Sequence, residues 1–255
     1  MIYIVSHKRL MPPRLRGYRP IQVGPGEDYP GFIRDNTGDN IADKNASYCE
    51  LTAMYWMWKN VDEPYKGLVH YRRFLGRRAF SSSERDILSY DALVDMLKRC
   101  DIVLPRPSVY HVNARDQLLM ECCTRDSFDA LRETVLALDP DYAEAFDSFF
   151  SDNRASQYNM LFCRGELFDD YCAWLFPILF RLEDRVDLSG VNDYQKRLFG
   201  FLSERLLNVW VMRRGLRVRH VPVVSTAYSA RDHLTYFRRD ITNALRFSLG
   251  KDRDK

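Results

Sequence analysis

An α/β sandwich is the fold this chain predicts, on three observations. Short β-branched runs recur along it, helical segments with wide apolar faces separate them, and Gly or Pro closes many of the runs. The first run, Ile2 to Val5, reads as a buried opening strand. A loop rich in Pro, Gly and Arg (Pro12-Pro13, Gly17, Pro20) leads to a second strand near Ile21 to Val23, and residues 24 to 43 are loop-like, with Pro25-Gly26 and Pro30-Gly31 as turn signals. A helix is expected from about Ser47 to Asn60, because Leu51, Met54, Tyr55 and Trp58 repeat at helical spacing and Ser47-x-x-Glu50 has the spacing of a capping box. Cys49, Ala53 and Trp56 make its remaining surface apolar too, so it should be largely buried. Lys66 to Tyr71 and Asp101 to Pro105 read as core strands. Tyr110 to Asp152 reads as a helical insertion, with Leu118, Leu119, Cys122, Leu131, Val135 and Leu138 on its apolar faces. Asn159 to Cys163 is a further strand, and Leu167 to Asp184 an apolar helix kinked or broken at Pro177. A long helix from Gln195 to Arg213 closes at Gly215, Leu216 to Val224 forms the last strand, and residues 229 to 255 form a basic-aromatic tail that reads either as a helix resting peripherally on the inner membrane surface or as one packed on the domain.

Composition narrows the function. At 255 residues and 46% hydrophobic, the chain can bury a large core without a second domain. The 38 basic residues are balanced by 35 acidic ones, which disfavours a nucleic-acid field, and no nucleic-acid motif is recognisable. The cluster Arg213, Arg214, Arg217 and Arg219 reads as a solvated face. The six cysteines lack C-x-x-C spacing, and Cys49, Cys163 and Cys172 sit among apolar residues. Reduced cysteines without a secretory leader point to the cytoplasm, and no apolar run is long enough to span a bilayer.

The candidate chemistry begins at the end of the third expected strand, His70-Tyr71-Arg72-Arg73. Two guanidinium groups and a histidine at a strand tip suit an anion such as a diphosphate, although strand alternation would send Arg72 and Arg73 to opposite faces. His7 and Lys8 follow the first strand at the carboxyl edge, where open α/β sheets bind ligands. The loop Asp35 to Asp43 fails as an EF-hand because Asn40 stands where Gly is needed. It reads either as a turn or as a ligand loop, with Thr37, Asp39 and Asn40 bonding to hydroxyls. Lys44 precedes a helix, near its positive end. In the later helix Arg205 falls inside an apolar stripe and needs a carboxylate or a ligand; Glu204 and, behind it, Asp193 are the candidate general bases. No Gly-rich loop ending in Lys-Ser/Thr is present, which disfavours phosphotransfer.

Several of these segments carry a resemblance: Ile2 to His7, Ile21 to Gly24, Thr37 to Ile41, Tyr48 to Thr52, His70 to Arg73, Asn159 to Phe162 and Gly200 to Asn208. Together they are similar to DUF4422, a bacterial family found in capsule, exopolysaccharide and O-antigen loci that resembles glycosyltransferases of the GT-A type. The resemblance spans roughly residues 1 to 225 and implies a GT-A-like domain over residues 1 to 228. It implies a nucleotide-sugar donor, with UDP-hexoses and UDP-galactofuranose as candidates, and a glycan or lipid-linked glycan acceptor at the inner face of the membrane. It raises His70, Arg72 and Asp39 as donor contacts and makes Asn159 a candidate acceptor contact. Most GT-A enzymes hold Mn²⁺ or Mg²⁺ with Asp-x-Asp at a strand end. Here that strand ends in cations, so a metal-independent, inverting hexosyltransferase is expected. A non-catalytic glycan- or nucleotide-binding module and a metal-dependent transferase are the alternatives.

Overall fold

The computed structural model describes residues 1–9 and 13–251; Pro12 and the end of the expected tail lie outside them. Strand β1 (Ile2–Ser6) is buried at every position. Ile2 and Ile4 enter the core on one face of the sheet, Tyr3 and Val5 the core on the other, as a period of two requires. On one side of β1, β2 (Tyr18–Gln22) and the short β3 (Ile33–Arg34) add in parallel. Helices α1 (Asn45–Tyr48) and α2 (Leu51–Asn60) return the chain to β4 (Tyr65–His70), parallel to β1 on its other side. A turn at Tyr71-Arg72 starts the antiparallel β5 (Arg73–Leu75), and α3 (Tyr90–Met96) leads to β6 (Ile102–Pro105) and β7 (Ser108–Val109).

The insertion holds α4 (Ala114–Glu121), α5 (Arg125–Leu138) and α6 (Ala143–Ser151). It closes through β8 (Arg154–Ala155), which pairs with β7. Next, β9 (Leu161–Arg164) slots antiparallel between β4 and β6. Helices α7 (Gly165–Glu183) and α8 (Leu198–Arg213) follow, then β10 (Val218–Val221), β11 (Val223–Ser225) and α9 (Ala230–Lys251). The sheet runs β10-β6-β9-β4-β1-β2-β3, with β5 and β11 as a ladder off the end of β4. The expected fold class is what the structure shows: a mixed sheet flanked by helices, with a helical insertion. No helix among the described residues is long and apolar enough to cross a membrane.

Three local expectations are corrected. The helix expected from Ser47 is two helices, broken at Cys49, whose φ of 53° is not helical. Ser47 Oγ donates to the Lys44 carbonyl and the Glu50 carboxylate accepts from Asn159, so no capping box forms. Helix α7 runs unbroken through Pro177. It loses one backbone bond there but is held by packing against α2, α5 and α8. The last expected strand is split at Pro222 into β10 and β11, because β11 pairs with β5 rather than with β6.

Gly165 shows how closely α7 sits on the edge of the sheet. Its amide donates to the Pro64 carbonyl, and a Cβ there would lie 2.1 Å from the Glu63 carbonyl oxygen. Gly165→Ala is therefore expected to lower stability by about 1–3 kcal/mol, the usual cost of overpacking. Urea unfolding measures it, and an unchanged midpoint would mean that the 62–64 loop yields.

Candidate active site

The parallel strands β2, β1 and β4 end side by side, and beyond their carboxyl ends opens a cleft of about 1080 Å³. Its floor is set by Val5 and Val23 at the strand ends and by Asn45 and Cys49 at the break between α1 and α2. Its far wall comes from the β7 end, α4, α8 and α9, segments distant from one another in sequence.

The cations come first. Because β4 stops at His70 and the chain turns at once, Tyr71 and Arg72 occupy the turn while Arg73 begins β5 opposite His70. Both guanidinium groups therefore line the cleft, where an uninterrupted strand would have separated them. Arg72 lies 4.6 Å from the Tyr71 ring and Arg73 4.6 Å from the Tyr158 ring. Arg197 also lines the cleft, with its Nε 3.3 Å from Cys49 Sγ. Among the described residues none of Arg72, Arg73 and Arg197 has a carboxylate within salt-bridge distance, so their charge is open to an anion. His7 also lines the cleft, edge-on to Tyr71. Burial, then the charges of Lys8, Arg72 and Arg197, hold it below the ordinary histidine range, so it is neutral at pH 7. His70 Nε2 donates to the Tyr158 carbonyl at 2.6 Å, which fixes the proton on that nitrogen.

The carboxylates line the same cleft. Arg197, Phe201 and Glu204 lie on one stripe running into α8, at i, i+4 and i+7, and all three face the cleft. Only 13% of the Glu204 side chain is exposed. Burial, reinforced by Glu50 and Glu121 and opposed by Arg205, pushes its pKa up to about 7, where a general base works best at neutral pH. Arg205 is 1% exposed and sits behind the cleft, donating to Glu204 at 2.9 Å and to Glu121 at 2.8 Å. Of the two expected outcomes, a carboxylate or a ligand, the buried arginine takes the first: it pairs with Glu204 and Glu121 and positions both cleft carboxylates. Asp193 lines the cleft too, but its side chain is 98% exposed and paired with Lys196.

Backbone strain gathers at the same place. Tyr158 and Asn159 have φ of 74° and 51°, and Cys49 has 53°. Such conformations persist only where neighbours hold them, and they concentrate at functional sites. Here the Tyr158 carbonyl accepts from His70 and the Tyr158 amide bonds to the Glu204 carboxylate. Asn159 is 1% exposed. Its amide donates to Glu50 at 2.7 Å and to the Gly200 carbonyl, while its oxygen accepts from Ser203. It has no free edge for an acceptor hydroxyl and instead positions Glu50, which does line the cleft.

The polar loop lies elsewhere. Thr37 Oγ1 accepts from Trp56 Nε1, Asp39 from Tyr55, and Asn60 donates to the Asp39 carbonyl, so Thr37 and Asp39 brace α2. The Asn40 amide donates to the Gly38 carbonyl and shapes the same turn. Lys44 pairs with Glu183 on α7 at 2.8 Å. None of these four lines the cleft, and neither does Lys8. Sequence reasoning missed Glu50, Glu121, Arg197, Tyr158, Tyr236 and Arg239, all of which line it. Of these, Arg197 carried a usable signal through its i+4 and i+7 spacing to Phe201 and Glu204. Among the described residues no three His, Cys, Asp or Glu side chains gather as a metal site.

The profile of the family described as Domain of unknown function (DUF4422) matches residues 1–215. The chain belongs to this family. Among solved structures it is similar to one described as the apo structure of the bifunctional glycosyltransferase WbbM. The TM-score is 0.79 and the identity 28%, over 89% of this DUF4422 chain and 45% of that one. The chain thus spans less than half the length of that structure. No curated protein matches it.

Proposed function

We propose that this chain is a glycosyltransferase domain of the GT-A type, moving a hexose from a nucleoside-diphosphate sugar to a bacterial surface glycan or its lipid-linked precursor. The observation that carries the reading is the gathering of three carboxylate-free guanidinium groups and a buried carboxylate in one cleft at the carboxyl edge of the sheet. The likeness to a bifunctional glycosyltransferase supports it. The nucleotide lies over Val5, Val23 and Asn45, and its diphosphate faces Arg72, Arg73 and Arg197. Glu204 takes the proton from an acceptor hydroxyl, and that oxygen bonds to the anomeric carbon from the face opposite the departing diphosphate. The bond from that carbon to the phosphate oxygen breaks, and its electron pair leaves on the diphosphate. This is an inverting displacement. The guanidinium groups supply the neutralisation that a metal gives in other transferases, which favours a metal-independent reaction. UDP-hexoses, UDP-galactofuranose among them, are the candidate donors.

Calorimetric titration with UDP and GDP, and with their sugars, in Mn²⁺ or in EDTA, tests the reading. UDP should bind equally in both. Arg72→Ala and Arg197→Ala should each weaken binding by about tenfold or more, the worth of a charge-assisted hydrogen bond. Binding that requires Mn²⁺ would remove the metal-independent part. No nucleotide binding in any condition would favour a glycan-binding module.

A further inference from the structure

The largest run of unsheltered apolar side chains lies on α9. Leu234, Phe237, Ile241, Leu245 and Leu249 are each 46–63% exposed, at spacings of three and four residues. At 100° per residue they share an arc of about 120°, in a row about 22 Å long. Phe80 widens the row: it is 57% exposed, packs edge-on to Phe237 at 5.2 Å, and holds a φ of 59° that a bulky residue rarely adopts. On the Leu249 side of the row Arg231 and Arg238 lie at its margin and Arg246 about 60° beyond it, all three exposed. Of the two aspartates of the helix, Asp232 lies on the far side, and Asp240, about 60° beyond the Phe237 margin, is half-buried and neutralised by a neighbour. Asp232 accepts from Ser229 at the helix start, and Asp240 pairs with Arg239. The inner side of the helix is engaged: His233 bonds to Ser82, Asn243 donates to the Val109 carbonyl, and Tyr236 and Arg239 line the cleft.

We propose that α9, with Phe80, docks in the plane of an anionic lipid bilayer surface. An apolar row with one cationic margin, and with its aspartates hydrogen-bonded or paired within the protein, matches the acyl–headgroup boundary, where apolar side chains enter and arginines meet lipid phosphates. Docking would hold the cleft beside the membrane, because opposite faces of one helix form the cleft wall and the lipid contact. That consequence rests on the transferase reading; the docking itself does not.

Vesicle flotation with the full chain tests the proposal, comparing phosphatidylcholine alone with phosphatidylcholine plus phosphatidylglycerol. Binding should favour the anionic vesicles by about tenfold or more and weaken with salt. Phe237→Ser/Ile241→Ser/Leu245→Ser should abolish it, and Arg231→Gln/Arg238→Gln should reduce it toward the level on neutral vesicles. Thermal unfolding confirms that the variants fold, and nucleotide binding measured in parallel reports the transferase reading separately. Equal binding to both vesicle types, or none to either, overturns the proposal. So does sedimentation showing a dimer that the triple variant dissolves while vesicles stay unbound.

Discussion

Replacing Glu204 with Gln is expected to lower kcat by about 10²–10⁴-fold, the contribution of a positioned general base, and to leave nucleotide affinity within a few-fold of the parent. The expectation rests on the environment of the carboxyl group. Burial disfavours its charged form, the nearby Glu50 and Glu121 add to that, and Arg205 pulls the other way, leaving the pKa at about 7. The sign follows directly. Below pH 7 the carboxyl holds its proton and cannot accept another; above it the carboxylate is present and can. The rate of the parent should therefore climb with pH through about 7 and level off, and Glu204→Gln should be slow and flat across that range. Asp193→Asn is the comparison, since its exposed side chain predicts a far smaller loss. A Glu204→Gln enzyme at full rate, or a parent rate independent of pH between 5 and 9, would remove Glu204 from the chemistry.

Much of the fold was legible because local pattern and tertiary fate agree in the sheet. Ile2 to Val5, Lys66 to His70 and Ile102 to Pro105 are buried strands whose composition permits little else. Legibility failed where one spacing serves two structures. Ser47-x-x-Glu50 reads as a capping box, but α1 ends in a strained residue one step before Glu50, which lies buried against Asn159. In the site, the cationic strand tip was visible as composition, while the turn that lets Arg72 and Arg73 share one cleft was not. Asn159 and the 35–43 loop looked like ligand contacts because polar residues in loops suit ligands and turns equally; here their hydrogen bonds go to Glu50, Ser203 and α2. Glu121, Tyr236 and Arg239 were beyond reach, since only tertiary packing brings α4 and α9 to the edge of the sheet.

The second large effect is expected at Arg205. Its guanidinium is inaccessible and forks between Glu204 and Glu121, with a further bond to the Phe201 carbonyl. Glu121 also accepts from Tyr194, so the clamp ties α4 to the segment that enters α8. Truncation to Arg205→Leu leaves two sheltered carboxylates facing each other without a cation. Breaking a buried pair from one side costs about 3–5 kcal/mol, and at about 2–4 °C per kcal/mol the melting temperature should fall by roughly 6–20 °C. The loss should depend on pH. Without the arginine, Glu204 loses the neighbouring positive charge that holds its pKa down, so it keeps its proton to higher pH. Acid relieves the repulsion, and the deficit should be smallest near pH 5 and grow as the pH rises through and beyond 7. The same shift moves the rising limb of the rate profile to more alkaline pH, a change that damaged packing alone would not produce. Arg205→Lys keeps the charge but cannot fork between both carboxylates, so it should fall between parent and Arg205→Leu in melting temperature and in the position of that limb. Thermal unfolding at several pH values and the rate profiles of both variants decide the matter. If Arg205→Lys and Arg205→Leu alike keep the parental limb, Arg205 stabilises the fold without setting the proton affinity of Glu204, and the buried clamp is not a tuning device.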